Sequence, residues 1–250
     1  MNRSLEKAFQ ILYFVADHQG QMGLSDISRA MNIDKATAFR YLNTLESLQL
    51  VEKKTQRFFL GMALFRLGNL VQSKRQIVDA IHPLLQDLCD GVNETVNLAT
   101  LHDGQVLYLD KIESKRSLQI QSTVGGTVPL HCTALGKSIL SILPDSQVDP
   151  LLERLRLERK TAKTIMDMAV LRQQIGQIKR RGFSTDLEEY EEGLTCVAVP
   201  ISFEHLGFLG GISLSGPSFR FTAAAVRSLA KRLQHTAVET ATMLSQPARG

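Results

Sequence analysis

Cysteine is scarce in this sequence, with only Cys89, Cys132 and Cys196, set far apart. An odd number without a CxxC pair suggests neither a disulfide framework nor a zinc ribbon. Long apolar runs are missing too. No stretch of 18 or more apolar residues occurs, and the opening MNRSLEKAFQ lacks the apolar core of a secretory signal. A cytoplasmic chain with no membrane partner is therefore expected. Tryptophan is absent, and neither an internal repeat nor a low-complexity tract is visible. What is present is the mix of a folded chain. Of 250 residues, 44% are hydrophobic and 22% charged, enough for two domains of ordinary size around well-buried cores.

The net charge of +4 is small but unevenly placed. Residues 1–75 hold 11 Lys and Arg against 6 Asp and Glu, whereas residues 76–250 hold 18 against 19. The asymmetry fits a small module that meets polyphosphate, joined to a larger neutral domain with another task. On charge alone, a solvated surface with no partner fits equally well.

Residues 4–18 read as a helix with Ser4 as its cap and Leu5, Ala8, Phe9, Leu12, Val15 and Ala16 repeating at three and four. A short helix follows Ser25, with Ile27, Ala30 and Met31 on one face. After a turn at Asn32-Ile33, Asp34 caps a third helix running to Leu48, whose apolar stripe is Ala38, Leu42, Leu45 and Leu48. Together these make a helix-turn-helix candidate. Opposite the stripe project Ala36, Arg40, Asn43 and Ser47, with Lys35, Thr37 and Thr44 beside them. The major groove admits such small, polar or basic side chains: an arginine can fork onto guanine and an asparagine can pair with adenine. Leu50-Val51-Glu52 and Phe58-Phe59-Leu60 then read as two strands around a tip carrying Lys53, Lys54 and Arg57, a basic wing. No glycine stands at that tip, so its turn geometry is left open.

Helix, turn, helix and basic wing in that order resemble the IclR family of bacterial transcriptional regulators, in which a winged helix-turn-helix precedes a ligand-sensing domain. Met62–Val71 is helical by period and apolar on more than one side. The resemblance implies a dimer contact there, and with it a homodimer or homotetramer on a double-stranded DNA operator.

Farther along, helices are expected over 76–90, with Pro83 as a kink or restart, and over 134–143, 148–157, 168–181 and 223–244. The last should turn Val226, Leu229, Leu233 and Val238 inward. Strands are expected over 95–101, 105–112, 196–203 and 208–215. Hairpins set between helices predict an α+β sensor domain, an antiparallel sheet flanked by helices, and the resemblance implies a GAF-like one. The expected division is a DNA-binding domain over 1–61, a linker helix over 62–76 and an effector-binding domain over 77–250.

Two motifs carry the resemblance here. Gly126–Lys137 turns a loop into a helix N-terminus, where free amides and the dipole favour an anion. Gly182–Pro200 places Asp186, Gly193, Cys196 and Pro200 at the family's spacing. The resemblance implies an effector pocket at Ala134, Leu135, Asp186, Cys196, Ser213 and Ser215, with His131 of the first motif counted among them. Two backbone donors, a carboxylate and small weak donors suit a small oxygen-rich acid. Glu188, Glu189, Glu191 and Glu192 read as a solvated acidic loop.

Other readings are a zinc or redox sensor built on His131, Cys132 and Cys196, an enzyme using the same histidine and cysteines, and a DNA-bending protein that senses nothing. The cysteines lack the flanking motif of a nucleophile, and the adjacent His131-Cys132 pair lacks structural-zinc spacing. The expectation is a regulator that binds effector and DNA, with no catalytic, metal or cofactor site.

Overall fold

The computed structural model describes residues 2–18, 20–116 and 122–245. The chain divides into two units, Met1–Arg75 and Gln76–Gly250.

In the first unit, α1 (Arg3–His18) turns Ile11, Leu12 and Val15 into a core shared with Ile27 of α2 (Leu24–Ala30). Leu42 and Leu45 of α3 (Lys35–Ser47) complete it from the other side. Ser4 is not the cap of α1: the Asn2 side chain accepts from the Ser4 and Leu5 amides at 3.1 and 3.2 Å. The outer part of the expected α1 stripe is also turned out, with Leu5 57% exposed. Asp34 caps α3 as expected, accepting from the Thr37 amide at 2.8 Å. Leu48 lies past the end of α3 and is 58% exposed, so the apolar stripe stops at Leu45.

The wing is a two-stranded antiparallel ladder, β1 (Val51–Lys54) against β2 (Arg57–Leu60), with Lys54 opposite Arg57. Two residues close it. Thr55 and Gln56 both have positive φ, 47° and 68°. Such a turn usually takes Asn-Gly, because left-handed backbone is cheapest for glycine. Here two ordinary side chains carry it, which answers the question left by the missing glycine.

Beyond the wing, α4 (Met62–Asn69) ends and α5 (Gln72–Val92) begins, so the expected linker of 62–76 is shared between two helices. Pro83 lies within α5 without dividing it.

The second unit is built on a six-stranded antiparallel sheet. Its strands are β3 (Thr95–His102), β4 (Gln105–Ile112), β5 (Thr127–Val128), β6 (Ser184–Leu187), β7 (Leu194–Phe203) and β8 (Phe208–Pro217), in the order β5-β4-β3-β8-β7-β6. The two-residue period decides what each face carries. Val197, Val199, Ile201, Ile212 and Leu214 point to a core closed by α5 and α9 (Ala223–Ser245). Their neighbours Cys196, Ala198, Ser213 and Ser215 point the other way. That second core is closed by α6 (Ala134–Ile142), α7 (Asp145–Arg154) and α8 (Met168–Arg181). The short β5 and β6 were not expected. On helix α9, Val238 is 64% exposed rather than inward; Thr236 and Thr240 are the buried residues on that stretch.

Candidate functional sites

On α3, Lys35, Ala36, Arg40, Asn43, Thr44 and Ser47 are exposed and Thr37 half-buried. Several are already committed to one another. Thr37 accepts from the Arg40 guanidinium at 3.1 Å, which steadies that side chain. Thr44 and Ser47 donate back to the carbonyls of Arg40 and Thr44 at 3.0 and 2.8 Å. Phe39, 47% exposed on the same helix, escaped the sequence reading because it fits neither stripe.

The wing cations differ in their surroundings. Lys53 lies 6.0 Å above the Phe58 ring. Lys54 lies 5.7 Å above the Phe59 ring and pairs with Glu52 at 2.6 Å. The Arg57 guanidinium bonds the Gln21 carbonyl and sits 3.9 Å from Asp26, so it faces the root of the wing rather than its tip.

In the second unit, Ala134, Leu135, Asp186, Cys196, Ser213 and Ser215 line one cavity of about 30 Å³. Strand register explains the grouping. Asp186 is paired across to Cys196, and Cys196 across to Ser215, so one row of three strands carries a carboxylate, a thiol and a hydroxyl. The N-terminus of α6 forms the facing wall. Thr133 caps it by accepting from the Gly136 amide at 3.1 Å, and the Lys137 amide is taken by the Thr133 carbonyl. Among the described residues nothing accepts from the amides of Ala134 and Leu135, the first two of the helix. Gly136 is required there, since a Cβ would stand 2.3 Å from the Leu130 carbonyl oxygen.

Burial pushes the Asp186 carboxyl up to about 7, against the opposing pull of the Glu189 amide. Its Oδ1 accepts from the amides of Glu189 and Tyr190 at 2.7 and 3.4 Å. Asn97, Tyr108, Ser122, Tyr190 and Glu191 also line the cavity and were missed by the sequence reading. Asn97 stands opposite Ser213, donates to both serine hydroxyls at 3.5 Å, and accepts from Ser122 at 2.8 Å. The available signal was local: Asn97 is a carboxamide set between Val96 and Leu98 on a strand buried over most of its length.

His131 does not join this group. It lines a separate cleft of about 430 Å³ with Arg154, Arg156 and Glu158, and its Nε2 donates to the Glu158 carbonyl at 3.0 Å. Burial holds its pKa below the ordinary value, so the ring is neutral. Burial also raises the thiols of Cys132, to about 12, and of Cys196. Both stay protonated near neutral pH, unlike the thiolate of a nucleophile or metal ligand. Among the described residues, no three His, Cys, Asp or Glu side chains are grouped so as to hold a metal ion. The acidic loop is also not wholly solvated: Glu189 is buried against Lys137.

A helix-turn-helix with a basic wing in one unit, and a polar cavity at a helix N-terminus in the other, define a DNA-binding transcriptional regulator with an effector-binding domain. Residues 4–55 match the IclR helix-turn-helix domain, and residues 70–242 match the bacterial transcriptional regulator IclR C-terminal domain. The chain belongs to the IclR family of bacterial transcriptional regulators. It is 30% identical to the regulator KdgR of Escherichia coli over 237 residues, 94% of this chain and 89% of KdgR. The crystal structure of IclR from Thermotoga maritima is 32% identical and superposes with a TM-score of 0.76, covering 97% of this chain and 99% of that one. An IclR homologue from Microbacterium hydrocarbonoxydans, solved with 4-hydroxybenzoate, shares the fold at 23% identity and a TM-score of 0.83, covering 97% and 99%. No helix among the described residues is long and apolar enough to cross a membrane.

Proposed function

We propose that this regulator is a cytoplasmic repressor of a catabolic operon, binding a palindromic operator as a dimer or dimer of dimers and responding to a small organic acid. Residues 1–61 read DNA, 62–76 link and dimerise, and 77–250 sense. In this reading Arg40 and Asn43 read bases, while Lys35, Ala36, Thr37, Thr44, Ser47, Lys53, Lys54 and Arg57 shape the surface or meet phosphate. The chain acts by binding rather than catalysis.

The observation that carries the effector reading is the cavity with chemically distinct ends. The amides of Ala134 and Leu135 at the positive end of α6 favour an anion. Across from them, Asp186, Cys196, Ser213 and Ser215 offer hydrogen bonds. Oδ1 of Asp186 is occupied by backbone amides, which leaves Oδ2 for a ligand hydroxyl or amide. With its walls parted beyond the closed volume of about 30 Å³, the cavity suits an anion that also carries a hydroxyl or amide, and sugar acids, keto acids, aromatic acids and ureides are the four classes to screen. His131 stands outside the cavity lining and is left out of the ligand set.

Thermal-shift screening against those four classes, 4-hydroxybenzoate included, tests the reading, followed by gel shift on DNA from the regulator's own promoter. An acid that raises the melting temperature and changes operator affinity is the expected result. If acids bind equally well to a Leu135→Trp variant, in which the cavity is filled, the ligand lies elsewhere.

A further inference from the structure

Lys137 sits one turn into α6 with its side chain only 1% exposed, paired with Glu189. Its Nζ donates to Glu189 Oε1 and Oε2 at 2.5 and 2.7 Å and to Gln174 Oε1 of α8 at 3.0 Å. Glu189 is held at its other polar groups as well. Its amide donates to Asp186 Oδ1 at 2.7 Å, and its carbonyl accepts from Thr164 at 2.7 Å and Thr161 at 3.3 Å. The residues just after it, Tyr190 and Glu191, wall the cavity. The residues just before Lys137 in α6, Ala134 and Leu135, wall it from the other side.

A buried ion pair is a poor way to gain stability, because desolvating two charges offsets most of their attraction. It does fix geometry, since a carboxylate held through both oxygens has little freedom to turn. Both members here lie next to cavity walls, and the pair spans from one wall to the other.

We propose that Lys137 and Glu189 are the positioning pair of the effector cavity, tying the 188–191 loop to α6 so that Tyr190, and the Asp186 carboxyl that the Glu189 amide holds, stay in place to receive the ligand. The inference rests on the effector reading given above, but the loop can be followed without any ligand. Cys196 lies in the cavity and is half-buried, whereas Cys89 and Cys132 are buried. The rate at which 5,5′-dithiobis(2-nitrobenzoate) labels Cys196 therefore reports how often the loop uncovers the cavity, and Cys196→Ser identifies that signal.

Removing one partner leaves an uncompensated buried charge, so Lys137→Met alone should fold poorly. The double variant Lys137→Met/Glu189→Met has no such charge and should melt near the wild-type temperature. If the pair positions the loop, the double variant labels at Cys196 at least tenfold faster, and the amides of 188–191 exchange faster with deuterium. Unchanged labelling and exchange would make the pair purely structural and overturn the proposal. Gln174→Met, which removes one acceptor and no charge, gives the same readout if the double variant does not fold: a severalfold rise in labelling supports the proposal, and wild-type labelling overturns it. The two readings fail separately. Faster labelling in a protein that binds no acid of the screen sinks the effector and keeps the positioning pair, while acids that bind a double variant with wild-type affinity and labelling sink the pair alone.

Discussion

Asp186 is the residue whose ionisation matters most. Burial lifts its pKa from the ordinary 3.8 to about 7. A carboxyl raised in the folded state binds its proton more tightly there than when unfolded. Its contribution is full below the unfolded value and is lost as pH rises through the folded one. Wild type should accordingly lose stability between about pH 4 and 7 relative to Asp186→Asn and level off above that, measured by urea unfolding. The same proton makes Asp186 a donor in acid and a repelling charge in base, so a bound anion should weaken as pH climbs through 7, by up to tenfold per unit. Flat affinity over that range would remove Asp186 from the ligand's neighbourhood. Gly136 is the other sensitive position. With the Leu130 backbone 2.3 Å from where a Cβ would be, Gly136→Ala should cost about 1–3 kcal/mol by overpacking. Sequence reading reached both residues through the motif. It missed Glu189, because a run of four nearby glutamates gives no sign that one of them turns inward to a lysine 52 positions earlier.

At the scale of elements, the wing turn makes the cleanest test. Gln56 holds φ at 68°, a conformation costing an L residue roughly 1–2 kcal/mol. Gln56→Gly should relieve about that much and raise the urea midpoint of the first unit. No change would mean the turn adapts without strain. α4 offers a second test, since it buries no residue and exposes Met62, Phe65 and Leu67, with Leu70 exposed just past its end. Under the dimer proposal, Leu67→Glu/Leu70→Glu should weaken self-association and operator affinity together, read by light scattering and gel shift. Element boundaries were legible wherever punctuation was strong, as at Gly182, whose φ of 76° ends α8 as expected. They were misread where pairing with a distant partner decides the matter. β5 has two residues and depends on β4; β6 depends on β7. Likewise Val238 looks inward by composition, but the α9 face that meets the sheet is set by the whole helix and turns Thr236 and Thr240 there instead.

For the whole molecule, charge placement sets the behaviour on DNA. With the basic excess confined to residues 1–75, binding should fall steeply and linearly on a log–log plot against salt as counterions are released. Arg40→Ala should cost ~1–3 kcal/mol on the operator and little on random DNA, whereas Lys53→Ala should weaken both alike and flatten the salt slope. Equal losses for Arg40→Ala on both DNAs would deny it a base contact. The division into a basic unit and a near-neutral one was readable from this charge asymmetry. Six of the cavity residues were reached through the family resemblance, but Asn97, Tyr108, Ser122, Tyr190 and Glu191 were not, because the lining comes from six strands, a helix and the loops between them, far apart in the chain.

The root of the wing constrains how such proteins can be recombined. The Phe58 amide bonds the Met22 carbonyl, Arg57 reaches the Gln21 carbonyl, and the Phe59 ring fills the space where Gly20 would carry a Cβ. The hairpin is thus aimed by a loop some 35 residues upstream of it. A crossover between α2 and β1 would join a wing to a loop cut for another, whereas one placed after Leu60 carries loop, reading helix and wing together. Exchange of operator preference between paralogues, natural or engineered, should survive at the second kind of junction and fail at the first.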